Sequence, residues 1–328
     1  FGFTNFTAGE LSPRLDGRTD LEKYFNGCKT LENMVIHPHG GASRRPGTNF
    51  VSEVKSSANK TRLIPFEFST TQTYMMEFGN QYIRFHKDNG IITETGKSIS
   101  AITKANPGVV TASSHGYSNG DYVILSGIVG MTELNGRQFK VSSVTTNTFA
   151  LQDMDGNNFN TSSLTTYTSG GTAFRIYQIA SPYTTAQLFE IKYAQSADVM
   201  YLVHPSVAIQ KLTRTGHTSW SISACNITGN PSPGLSTTDN FPSSVTFYEQ
   251  RLVFAGTNNN PQSIFFSVAG SYENFATGTN ATDAMIYTIA SNQVNAIRFL
   301  SAQTQLLIGT TGGEFIATSG SNSEPITP

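Results

Sequence analysis

The sequence predicts a mostly β protein: an incomplete β-propeller-like repeat scaffold with a short N-terminal helical segment and an inserted small β-barrel or sandwich module. The first observation is a repeat. The stretches Leu63–Gly90, Gln187–Gly216, Ser243–Gly270 and Val294–Gly320 share one pattern. Each has an apolar strand, a polar turn, a second apolar strand, a Gly/Asn-rich turn and a third alternating strand. One such unit cannot bury its apolar face alone, so the repetition implies radial or stacked β units. The second observation is composition, rich in Gly, Asn, Ser and Thr, which suits short strands joined by tight turns. The third is a stretch between the first two repeats that follows a different pattern.

Residues 1–50 stand outside the repeat and read as a docking segment. Thr19 or Asp20 is placed to cap a helix through LEKYFNGCKTLENM, with Leu21, Tyr24, Phe25, Cys28 and Leu31 on one face. Gly27 weakens that helix by about 1 kcal/mol relative to Ala. A breaker-rich loop, HPHGGASRRPG, follows with Arg44 and Arg45 adjacent. Residues 51–97 form the first β unit, with Met75, Glu77, Tyr82, Arg84 and His86 in alternating strands. Its Asp88-Asn89-Gly90 turn suits a hairpin, because Asn and Gly accept positive φ. Residues 98–175 are the inserted module, punctuated by Asn106-Pro107-Gly108, Asn119-Gly120 and Asn135-Gly136. Its last part, Thr161–Gly171, reads as a Ser/Thr/Gly linker back to the scaffold. Residues 176–328 hold the remaining repeats, with Tyr272, Phe275, Met285 and Tyr287 expected in the outer strand of the third. A propeller has about four to eight blades, so the natural chain is expected to continue beyond Pro328.

Only 13% of residues are charged and the formal net charge is −1, which argues against a protein built to grip nucleic acid. No run of apolar residues is long enough to span a bilayer, so membrane insertion is not expected. The two cysteines, Cys28 and Cys225, lack CxxC spacing and read as reduced thiols, with one disulfide left open.

Few residues suggest chemistry. His37 and His39 flank Pro38, but zinc needs about three or four converging ligands. Asp153–Asn158 resembles the start of a calcium loop with its Gly misplaced, and a polar hairpin tip explains it better. Ser114, His115 and Asp121 lack a G-x-S-x-G elbow, so His115 reads as a turn residue. Glu249, Glu273 and Asp283 are carboxylates that no pattern unites into a glycosidase pair. No enzyme, cofactor or metal is expected. Trp220, Tyr117 and Tyr183 are the stacking candidates for an alternative function, glycan or receptor binding.

The run from Phe6 to Thr48 resembles the N-terminal signature of the tail nozzle proteins of short-tailed bacteriophages, also called tail tubular protein B. The carrying residues are Gly9–Pro13 (GELSP), Arg18–Asp20 (RTD) and Gly41–Gly47 (GASRRPG). YEQRLVFAGTNNNPQSIFFSVAGSYENF and ASNQVNAIRFLSAQTQLLIGTTGGEFI are also similar to segments of that family. The insert is similar to the first catalytic cysteine half-domain of ubiquitin-activating enzymes, through Thr111, His115-Gly116, Gly120-Asp121, Gly130-Met131, Leu134-Asn135-Gly136 and Phe139. The insert has no cysteine, so the name implies no thioester chemistry.

The resemblance implies a structural protein of the virion tail. It would form a homo-oligomeric, hexameric ring that extends the DNA-ejection channel below portal and adaptor and supports tail fibres. Double-stranded DNA would pass transiently through the lumen. A near-neutral wall suits a conduit, since each cationic ring would hold phosphates. Arg14, Arg18, Asp20, Arg44 and Arg45 are placed at the adaptor or inter-subunit contact, and the insert at the periphery.

Overall fold

The computed structural model describes residues 5–69, 71–229, 234, 235, 239–291, 293–319 and 325–328. The chain divides into two compact units, the first ending at Val51 and the second running from Ser52 to Pro328.

The first unit carries little regular structure. Gly9–Glu10 pairs in parallel with Gly27–Cys28, and Met34–Ile36 forms a hairpin with Ala42–Arg44. The helix expected after Asp20 is absent; its place holds a short 3-10 turn, Glu22–Asn26. Two local causes explain the difference. The Asp20 carboxylate accepts from Arg18 Nε and Nη2, both at 2.7 Å, so it does not cap the backbone. Gly27 is extended (φ −119°, ψ 174°) and lies against Leu11, where a Cβ would sit 2.6 Å from Cγ. The expected apolar face is therefore dispersed, and Phe25 is 59% exposed.

The second unit contains four antiparallel blades and the insert. Blade 1 comprises Arg62–Glu67, Thr73–Gly79 and Tyr82–Lys87, completed by Gln178–Ala180 after the insert. Its hairpin to Gly90–Ile91 turns at Asp88 (φ 51°) and Asn89 (φ 61°), the positive pair that a tight two-residue turn requires. Blade 2 is Lys192–Ser196, Val199–His204, Val207–Gly216 and Ser219–Ala224. Blade 3 is Pro242–Tyr248, Arg251–Thr257, Ser263–Phe266 and Met285–Thr288. Blade 4 is Ile297–Ala302, Leu306–Thr310 and Glu314–Ala317, and Gly320, the end of the fourth repeat, lies outside the described residues. Met285 and Tyr287 do lie in the outer strand of blade 3. Tyr272 and Phe275 do not: Phe275 stacks on Phe254 at 5.6 Å and Tyr272 meets Phe247 edge-on at 5.0 Å, so aromatic burial places them.

Alternation builds the cores. In blade 1, Ile64, Phe66, Tyr74, Met76, Phe78, Ile83 and Phe85 share one face and pack with Leu202, Leu212 and Trp220 of blade 2. Separate clusters join blade 2 to blade 3 and blade 3 to blade 4. Among the described residues no core cluster joins blade 4 back to blade 1, and the four blades form a propeller-like arrangement.

The insert is a curled seven-stranded sheet around its own core of Val110, Val123, Leu125, Phe139, Val141, Phe149 and Leu151. The stretch Thr161–Gly171 is part of this module and not a linker. Thr161 is fully buried with its hydroxyl bonded to the Thr103 carbonyl at 2.7 Å, and Ser169–Arg175 pairs with Tyr122–Val129. Its small residues fit the sheet because Gly170 (φ 71°) and Gly171 (φ 97°) adopt the left-handed conformation of an irregular strand.

Candidate docking site

The five residues placed at a contact all lie in the first unit. Arg14 sits on the 3-10 turn Pro13–Leu15 and is exposed. Arg18 and Asp20 form a bidentate pair on the surface, which raises the guanidinium pKa and lowers that of the carboxyl through the shared hydrogen bonds. Arg44 closes the strand Ala42–Arg44 opposite Met34, and the Arg45 amide donates to the Asn33 carbonyl at 2.8 Å. Both side chains are exposed with no ion pair among the described residues. The structure thus brings Arg18 to Asp20 and presents Arg14, Arg44 and Arg45 singly.

What sequence reasoning missed is the apolar surface around them. Phe25 (59%), Met34 (41%), Val35 (42%) and Phe50 (73%) are exposed, and no apolar side chain among the described residues up to Val51 is buried. A segment of this size without a core gains little from folding alone. The signal was present as hydrophobic residues in a stretch without helical or strand period long enough to hide them.

A second cluster lies on the face of blade 1 turned away from blade 2, where the insert covers it. Cross-strand register sets Glu77 beside Arg84. Arg84 is fully buried; its Nε reaches Gln178 Oε1 at 3.4 Å, while Nη1 and Nη2 have no hydrogen-bond partner. The guanidinium lies 4.7 Å from the Tyr122 ring centroid and 5.5 Å from that of Tyr82. Lys55 Nζ lies over the same rings at 5.4 and 5.0 Å. Glu77 Oε1 accepts from the Tyr82 hydroxyl at 2.5 Å, and Oε2 lies 3.9 Å from His86 Nε2. Burial lowers the pKa of Arg84, Lys55 and His86 and raises that of Tyr82.

The remaining candidates have structural roles. His37 stacks on His39 at 5.3 Å and its Nε2 meets Ser43 Oγ at 2.8 Å. The Asp153 carboxylate accepts the amides of Asp155 and Asn157 within its own hairpin tip. His115 is buried, its Nδ1 accepting from the Tyr117 amide at 3.0 Å, and no bond to Ser114 or Asp121 forms among the described residues. Glu273 holds Lys211 and Tyr201, Asp283 holds Asn280, and Glu249 accepts from the Ile326 amide. Trp220, Tyr117 and Tyr183 are buried at 7%, 6% and 0% exposure, so none offers a face to a sugar; packing against blade and module cores consumed them. Cys28 and Cys225 are free, and burial pushes the Cys225 thiol up to about 12.

Residues 105–176 match the family model of the ubiquitin-activating enzyme E1 FCCH domain. Rabbit (Oryctolagus cuniculus) ubiquitin-like modifier-activating enzyme 1 is 35% identical over 85 residues, and the human (Homo sapiens) enzyme is 34% identical over 85 residues. Each match covers 23% of this chain and 8% of the enzyme, so it concerns the insert alone. Among solved structures, the phage phi92 endosialidase aligns over 77% of this chain and 41% of its own, at 15% identity and a TM-score of 0.27. A likeness that distant carries no argument.

Proposed function

We propose that this chain is a structural protein of a short-tailed phage tail: a nozzle subunit that forms a homo-oligomeric ring below portal and adaptor. The observation that carries this reading is the coreless first unit. It coincides with the Gly9–Pro13, Arg18–Asp20 and Gly41–Gly47 signature that resembles the nozzle family, and it exposes Phe25, Met34, Val35, Phe50 and Val51 beside Arg44 and Arg45, which form no ion pair among the described residues. Such a segment reaches a stable state by burying that surface against an adaptor or a neighbouring subunit, with Arg44 and Arg45 pairing to acidic groups there. The four β blades would make a stiff wall for a channel, and a formal charge of −1 would let DNA slide. The reading includes no catalytic step.

Arg44→Ala/Arg45→Ala in an infectious phage tests it. Both side chains are exposed, so the free chain keeps its stability within about 0.5 kcal/mol. Tail assembly should fall sharply; wild-type assembly would remove the docking assignment. The glycan alternative has lost its aromatic platforms to the core.

A further inference from the structure

The seam between blade 1 and the insert holds charges that neither module balances. Arg84 is fully buried and two of its nitrogens have no partner. Lys55, half-buried, forms no hydrogen bond or ion pair through its ammonium among the described residues, and it shares both tyrosine rings with Arg84. Near these two cations, Glu77 is engaged by the Tyr82 hydroxyl and forms no ion pair with Arg84, and the charges of Asp121 and Glu77 both act on Lys55. Asp121, the next acid along the seam, is bonded to Arg175, which also holds Glu94. Lys140 adds a further positive charge to the field at Lys55.

A buried guanidinium needs a counter-charge and acceptors for its fork of donors. The ring faces of Tyr82 and Tyr122 supply attraction but no acceptor for the two free nitrogens. A small oxyanion satisfies both needs at once: its oxygens accept from Arg84 Nη1 and Nη2, and its charge meets Lys55. Lys55 is half-buried where Arg84 is fully buried, so an anion would reach Arg84 past Lys55.

We propose that the seam between blade 1 and the insert binds one small oxyanion, of the inorganic phosphate or carboxylate type, between Arg84 and Lys55. The bound anion would neutralise the seam and lock the insert to the blade.

The test is calorimetric unfolding of the intact chain near neutral pH in chloride buffer, titrated with sodium phosphate or sodium acetate at matched ionic strength. The expected result is a saturable rise of roughly 2–4 °C in Tm. Phosphate also stabilises folded proteins by exclusion from their surfaces, without saturating at low concentration. Saturation below about 10 mM, and its loss in Lys55→Met, therefore carry the test. Lys55 is half-buried and forms no hydrogen bond through its ammonium among the described residues, so Lys55→Met is expected to fold. A response to phosphate alone assigns a tetrahedral anion, and one to acetate alone a carboxylate. Tm values equal to those in chloride for both anions, or an unchanged rise in Lys55→Met, would overturn the proposal.

Discussion

The guanidinium carbon of Arg84 lies 4.7 Å from the centroid of the Tyr122 ring, and the two residues belong to different modules. Arg84 comes from the third strand of blade 1 and Tyr122 opens the longest strand of the insert. This contact, with the Arg175 pair to Glu94 just before the insert, ties the insert to the blade-1 side of the chain. The inserted module is therefore seated on the scaffold by defined contacts as well as by its covalent connections.

Charge at that seam gives an ordered prediction. Glu77→Ala removes the carboxylate nearest Arg84 and leaves the buried Tyr82 hydroxyl without its acceptor, which costs about 1–3 kcal/mol. Arg84→Met removes the charge itself and keeps the volume, so it falls within about 1 kcal/mol of wild type. Urea unfolding of both variants in chloride buffer checks the order, and the reverse order would contradict it.

The insert can be removed without cutting blade 1. Thr93 forms a bridge with Ile176, and the Tyr177 amide donates to the Ile92 carbonyl at 2.9 Å, so the chain leaves and rejoins the blade at adjacent points. Replacing residues 95–174 by a short Gly-containing turn should yield a folded chain with its β signature in circular dichroism intact. Loss of cooperative unfolding would show that the blade depends on the insert.

Two histidines, His204 buried and His86 partly buried, set a pH dependence. Burial lowers the pKa of His86 and His204 below the ordinary 6.5, so each takes up its proton at lower pH in the folded chain than in the unfolded one. The groups around His86 are Ser52, Glu77 and Arg84, and His204 faces Glu190 and Tyr183. The unfolded chain takes up protons as pH falls through about 6.5 while the folded chain does not. Stability is therefore full above that value and declines below it, by up to about 1.4 kcal/mol per pH unit for each proton. Denaturation midpoints between about pH 7.5 and 5.5 check the slope, and His86→Gln with His204→Gln should flatten it.

The blades were legible in the sequence because their two-residue alternation is regular. Ile64, Phe66, Met76 and Phe85 announce a buried face, and Asp88-Asn89 announces the turn between strands. The expected helix failed because periodicity counted Leu21, Tyr24, Phe25 and Cys28 without the competing Arg18–Asp20 pair or the extended Gly27. Thr161–Gly171 looked like a linker because composition conceals a buried threonine and glycine-dependent strand geometry. Arg14, Arg18, Arg44 and Arg45, proposed here for docking, were visible as a motif. The exposure of Phe25 and Phe50 was not, since only three-dimensional packing shows that nothing within the first unit covers them.

The central claim is that this chain is a tail-ring subunit, and quantitative mass spectrometry of purified phage particles with immunogold labelling tests it most directly. The account predicts about six copies per particle, one cyclic ring, with label on the tail. Absence from particles, or label confined to fibre tips, would contradict it.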